Sequence, residues 1–252
     1  DTENDNIAIG YNAITTDNAG GTLNIAIGNY ALDALTSGDN NTAIGQNTLG
    51  ATTTGGQNTA VGHESMLTNT TGVQNTALGR YSLYTNNAND NVAVGYSAME
   101  ANTTGAGNTA VGKDAMKANT TGTENVAVGS LALTAATTAT GNQAFGFKAL
   151  ETVATGNDNT AVGAFALQLN TASNNTAVGY KAMDANTTGA DNVGIGLQAL
   201  GANTTGTRNM AIGSAAYGNS DTENDNLAIG YNAMTTNTAG GTKNVAIGNY
   251  SL

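Results

Sequence analysis

Cysteine, proline and tryptophan are absent from this chain of 252 residues, and phenylalanine occurs only three times. Without Cys there can be no disulfide, thiolate metal site or Cys nucleophile. Charge is scarce as well. Asp, Glu, Lys and Arg make up 10% of the residues, against about 25% in an ordinary domain. The seven basic residues never cluster and the net charge is −11, so no surface that tracks phosphates, and no nucleic-acid partner, is expected. No run of about 18 apolar residues occurs, so no membrane insertion is expected in this stretch. A chain so poor in core aromatics invites a reading as low-complexity disorder, but missing Pro and low charge argue against it.

What is present is repetition. Gly contributes 34 residues, roughly twice its usual share. The motif Asn-x-Ala-aliphatic-Gly recurs fifteen times from end to end, at spacings of 17 with a few of 16 or 18. We number each repeat, or rung, from its motif Asn. These are Asn6, Asn24, Asn41, Asn58, Asn75, Asn91, Asn108, Asn125, Asn142, Asn159, Asn175, Asn192, Asn209, Asn226 and Asn244. Position 3 is Ala in fourteen rungs, with Gly194 the exception, position 4 is always apolar and position 5 is always Gly. Position 8 is Ala, Ser or Thr and position 9 is a large apolar residue such as Leu83 or Met99. A polar turn follows, often Asn-Thr-Thr-Gly, as at 102–105 and 186–189.

A repeat this short and regular predicts an all-β parallel β-solenoid of fifteen stacked rungs, one repetitive domain over 1–252. Positions 2 to 4 alternate like a strand, and positions 2 and 4 are read as facing the interior because position 4 is always apolar. The position 5 Gly marks a bend with positive φ or a close backbone approach. A second short strand is expected to carry the Leu/Met column, including five of the six Met, into the same core. Asn at one site in every rung is read as an internal ladder of stacked amides, each donating and accepting along the axis. Ala at position 3, by alternation, is expected to face outward. A solvent-facing column has little reason to be Ala so often, so Ala93, Ala110 and Ala127 are read as close contacts with a second copy of the chain. Tyr11, Tyr30, Tyr81, Tyr96, Tyr180, Tyr231 and Tyr250 occupy the two variable positions after the motif Gly. They are read as an outer binding surface or a seam between chains, with simple packing at the rung edge as the plain alternative.

A longer period is superimposed. Residues 1–32 and 221–252 agree at 25 of 32 positions. Thirteen rungs over 1–220 thus form one unit and 221–252 begin the next, as expected of a window from a longer array.

The motif resembles the head repeat of YadA-type trimeric autotransporter adhesins. Asn91-Val92-Ala93-Val94-Gly95 and Asn125-Val126-Ala127-Val128-Gly129 carry the likeness most closely, and it covers the whole chain. The resemblance implies a left-handed parallel β-roll with three chains packed side by side, although 17 residues is longer than the usual rung of that family. Higher cyclic order would also satisfy the Ala columns. The array is also similar to those of large bacterial surface proteins and phage fibres. The resemblance therefore implies an adhesive or structural segment of an extracellular fibre at a bacterial surface, gripping a target cell surface or glycan, with a phage tail-fibre shaft as the alternative.

Catalysis is not expected. The only histidine, His63, lies in a variable position, and nothing provides a nucleophile with its base. No cofactor is expected. Asp1, Glu3 and Asp5, repeated as Asp221, Glu223 and Asp225, are the one set of alternating acids that invites Ca²⁺. A solvated acidic turn is the favoured reading of them. No phosphate-binding Gly-x-x-x-x-Gly-Lys-Ser/Thr occurs. A function of another class, ice binding through a Thr ladder, needs an unbroken Thr column, and the Thr-Thr-Gly turn is interrupted at 86–90 and 168–174.

Overall fold

The computed structural model describes residues 5–15, 20–219, 221–235 and 241–252. Its strands are short and uniform. Each motif supplies one three-residue strand covering positions 2 to 4, from β1 (Ile7–Ile9) to β15 (Val245–Ile247), and no helix occurs among the described residues. The protein is an all-β parallel solenoid of about 17 residues per rung. Two compact units can be distinguished, Asp1–Glu124 and Asn125–Leu252. Their division follows the seventh motif and does not coincide with the 220-residue period.

Within the first unit β2 (Ile25–Ile27) pairs parallel with β3 (Thr42–Ile44), placing Ala26 beside Ala43. Within the second, β11 (Thr176–Val178) pairs with β12 (Val193–Ile195), placing Ala177 beside Gly194. The register survives rungs of unequal length. Thr76 aligns with Val92 across a 16-residue rung, and Leu227 with Val245 across an 18-residue one. The residue missing from each 16-residue rung is taken out of the turn, at 86–90 and at 170–174.

The strand faces are the reverse of those expected. Ala at position 3 is fully buried in every rung from Ala26 to Ala228 where it occurs, and Ala93, Ala110 and Ala127 therefore face the interior. They are not contacts between chains. The Ala at position 8, as in Ala98 and Ala182, is likewise buried. The aliphatic residues at position 4 face out, with Ile44 37% exposed and Val162 39%. Two causes fix this arrangement. A strand alternates faces, so the Asn at position 1 and the Ala at position 3 point the same way, and burying the amides buries the methyls. The space over the strand is also filled. A Cβ built on Gly194 would lie 2.7 Å from Met183 Cγ, so position 3 has room for at most a methyl beneath the Leu/Met column.

That column reaches the core as expected, with Leu83, Met99, Met116, Leu167 and Met183 all fully buried. It does so from a turn, not from a second strand. Positions 7 and 9 adopt left-handed backbone, as in Ser97 (φ 51) and Met99 (φ 49), or Lys181 (φ 53) and Met183 (φ 54). The two directions of the ladder account for it. Ser97 N donates back to Arg80 O at 3.0 Å, and Met99 N donates onward to Ala115 O at 3.0 Å. Each left-handed residue sends its N–H to a neighbouring rung, which offsets the roughly 1–2 kcal/mol that such a backbone costs an L-residue. The motif Gly is required for a different reason. At Gly95 φ is +137 and a Cβ would lie 2.5 Å from Gly112 O, so one rung's backbone rests directly on the next.

Candidate functional site

The motif Asn residues form the expected ladder. Asn192 shows the pattern. Its backbone N and its Nδ2 both donate to Asn175 Oδ1, at 3.0 and 3.3 Å, and Nδ2 also donates to Gly206 O at 2.8 Å. Its own Oδ1 accepts from Asn209 N at 2.9 Å. Only a carboxamide supplies donors and an acceptor together in so small a side chain. Asp would bring a buried charge without donors. In the first unit Asn24, Asn41, Asn58 and Asn75 each bond back to the preceding amide in the same way. In the second, Asn142, Asn159, Asn226 and Asn244 do so.

A second buried ladder runs beside the first, and the sequence reading missed it. The Asn at position 12, opening the Asn-Thr-Thr-Gly turn, points inward. Asn102 Nδ2 donates to Asn86 Oδ1 at 2.6 Å and Asn119 Nδ2 to Asn102 Oδ1 at 2.7 Å. Asn186 and Asn203 repeat this on Asn170 and Asn186, both at 2.7 Å. After each 16-residue rung the ladders join, with Asn91 Nδ2 donating to Asn86 Oδ1 and Asn175 Nδ2 to Asn170 Oδ1, both at 3.3 Å. Where Tyr217 takes position 9, its buried hydroxyl lies 2.6 Å from Asn226 Nδ2 and accepts the same kind of bond. The turn itself is held by shared carbonyls. Thr103, Thr104 and Gly105 all direct their N–H groups to Thr120 O, at 3.0, 3.0 and 3.2 Å.

Apart from the buried Tyr217, the aromatic residues lie toward the outside, and several stack edge to face. Tyr11 meets Tyr30 at 5.5 Å and Tyr231 meets Tyr250 at 5.3 Å, so the long sequence period reappears as local geometry. Tyr81 gathers His63, Tyr84 and Tyr96 at 5.7–6.1 Å. Arg80 lies 4.5 Å over the Tyr81 ring and donates to its hydroxyl at 2.6 Å. Phe165 bridges Phe147 and Tyr180. Tyr96 and Tyr180 remain 46% and 49% exposed, so these rings both pack on one another and present a face to solvent.

The alternating acids Asp221, Glu223 and Asp225 do not converge on a common point. In the first set Asp1 and Glu3 lie outside the described residues, and only Asp5 is described. Asp221 accepts from the Thr204 hydroxyl, Glu223 turns back to accept from Asp221 N and Thr222 N, and Asp225 takes a bidentate pair from Arg208 at 2.6 and 3.0 Å. The guanidinium holds the Asp225 carboxyl below the usual range. Each carboxylate of this set has its own partner, and no group of three metal-binding side chains occurs among the described residues. Comparison with family models and with curated proteins found no match.

Proposed function

We propose that the chain is a structural and adhesive segment of a long extracellular fibre or surface adhesin, without catalytic function, that attaches by many weak contacts to a cell surface or its glycans. The observation that carries this reading is the division between inside and outside. The same amides, methyls and Leu/Met side chains fill successive rungs, whereas variation is concentrated in the outward positions. Rungs of this kind add length without needing a new core.

Side-by-side association of copies belongs to the same reading, through a different face from the one expected. Across all fifteen rungs positions 2 and 4 carry no charged residue, and position 4 is always apolar. An exposed apolar stripe of this regularity calls for cover, and a second copy of the chain presents the same stripe at the same rung spacing. Three parallel copies around one axis is the arrangement adopted here. Ice ordering is disfavoured on this face too, since outward Thr at position 2 is broken by Val92, Val126, Gln143, Val193 and Met210.

Attachment by many weak contacts has a measurable signature. Beads coated with the chain should adhere to glycan-bearing cells with a dependence on coating density steeper than linear. Adhesion no better than that of albumin-coated beads at every density would count against the reading.

A further inference from the structure

Position 10, just after the large apolar column, carries a long or polar side chain in most rungs, including Leu67, Tyr84, Glu100, Lys117 and Glu151. It is Gly at 50, 201 and 218. Clefts open at these glycines. One, of about 400 Å³, lies in the first unit against Asp33, Asn47, Gly50 and Ala51, with Tyr30 on its wall. The other, of about 440 Å³, lies in the second unit against Asp184, Gln198, Gly201 and Ala202, with Leu169 on its wall. Both volumes fall in the range of small-ligand sites, about 300–1,000 Å³.

The two clefts share one construction. An Asp at position 10 of one rung is followed in the next by a carboxamide at position 7 and by Gly-Ala at positions 10 and 11. The carboxamide residue has left-handed backbone in both, with φ 56 at Asn47 and 53 at Gln198. The Gly makes the space: a Cβ on Gly50 would lie 3.4 Å from Asp33 Oδ1 and 3.1 Å from Leu67 Cδ1. The instances are not related by the 220-residue period, so that duplication does not explain the recurrence.

We propose that these clefts are glycan subsites. Each takes a neutral sugar unit whose adjacent hydroxyls bond to Asp33 and Asn47 in one cleft and to Asp184 and Gln198 in the other. This rests on the adhesive reading above and supplies its ligand chemistry. A carboxylate accepts only, whereas a carboxamide both donates and accepts, and the two together match a vicinal diol. The apolar ring face of the sugar packs on Tyr30 or Leu169. Partial burial holds both Asp carboxyls above the usual range, against backbone N–H groups and, at Asp184, Lys181. Hydroxyl donors compensate that lost solvation. A lone carboxylate in each cleft is too few for Ca²⁺, which takes six to eight oxygens.

The test is saturation-transfer NMR of the full chain with a panel of neutral methyl hexopyranosides. Two double variants accompany it: Asp33→Asn with Asp184→Asn, and Gly50→Leu with Gly201→Leu. The second fills the clefts with a side chain that Leu67 already carries in this column, and the first is isosteric. Transfer to at least one sugar, reduced tenfold or more in both variants with unchanged circular dichroism, is the expected result. No transfer to any sugar, or transfer that persists in the variants, overturns the proposal. Bead adhesion separates the two readings. Wild-type beads that adhere, and adhere equally after both sets of substitutions, overturn the clefts and leave the adhesive role. Variant-sensitive transfer with beads that do not adhere supports the clefts and counts against the adhesive role.

Discussion

At the scale of the residue, the interior depends on the motif Asn, a carboxamide that recurs in every rung. Asn192→Ala strands the Asn209 N–H, which has Asn192 Oδ1 as its acceptor, and an unsatisfied buried donor costs about 1–3 kcal/mol. With the bonds that Nδ2 makes, a loss of about 2–4 kcal/mol in urea unfolding is expected. Asn192→Asp is a sharper case. Its acceptor survives, but a carboxylate oxygen would then face Asn175 Oδ1 and Gly206 O, both acceptors. The introduced carboxyl is buried, so its pKa rises above the unfolded value. Its protonated form can donate to Gly206 O. The variant's stability is therefore retained at low pH and lost as pH rises through the folded pKa. Asn192→Asp should be the weaker of the two variants at pH 7 and recover relative to Asn192→Ala at pH 4. A pH-independent difference in urea midpoints would contradict this.

At the scale of the element, each rung is one three-residue strand and a series of turns held in left-handed backbone. The residue before each motif Asn is a third such site. It is Gln57 (φ 59) in one rung, while Gly107 (φ 69) and Gly141 (φ 71) fill the same place in others. Gln57 is exposed and its N–H bonds to Asp39 O at 2.8 Å, a bond that Gly keeps. Gln57→Gly should stabilise by about 1 kcal/mol, the strain of αL less some unfolded-state entropy, and Gln57→Val should destabilise by at least as much. A fall in melting temperature on Gln57→Gly would show that the side chain, not the backbone, governs this site.

Much of the rung is legible in the sequence. The period, the strand positions, the close-approach glycines and the Asn ladder are legible because each repeats in a column. The facing is not legible from apolarity alone, because the Leu/Met column already fills the space over the strand and leaves the position 4 residues outside. Alternation from the Asn ladder itself decides the matter, since position 1 and position 3 share a face. The second ladder is hidden because Asn is as common in turns as in amide stacks, and no single rung distinguishes the two at Asn102. Left-handed backbone at Met99 or Leu167 has no sequence signal at all, because Leu and Met rarely adopt it. The clefts arise from what position 10 lacks relative to neighbouring rungs, and that becomes visible only when the rungs are stacked.

For the whole molecule, the two faces of the strand differ: amides and methyls fill the interior of the rungs, and the outward apolar column at position 4 is the face proposed to meet other copies. Sedimentation equilibrium tests this most directly. The wild-type chain should sediment as a discrete oligomer, with three copies the expected number. Val94→Lys with Ile195→Lys, one outward charge in each unit, should leave the strand signal in circular dichroism unchanged and yield monomers. A wild-type chain that stays monomeric at every concentration, or a Lys variant that associates as well as the wild type, would contradict the account.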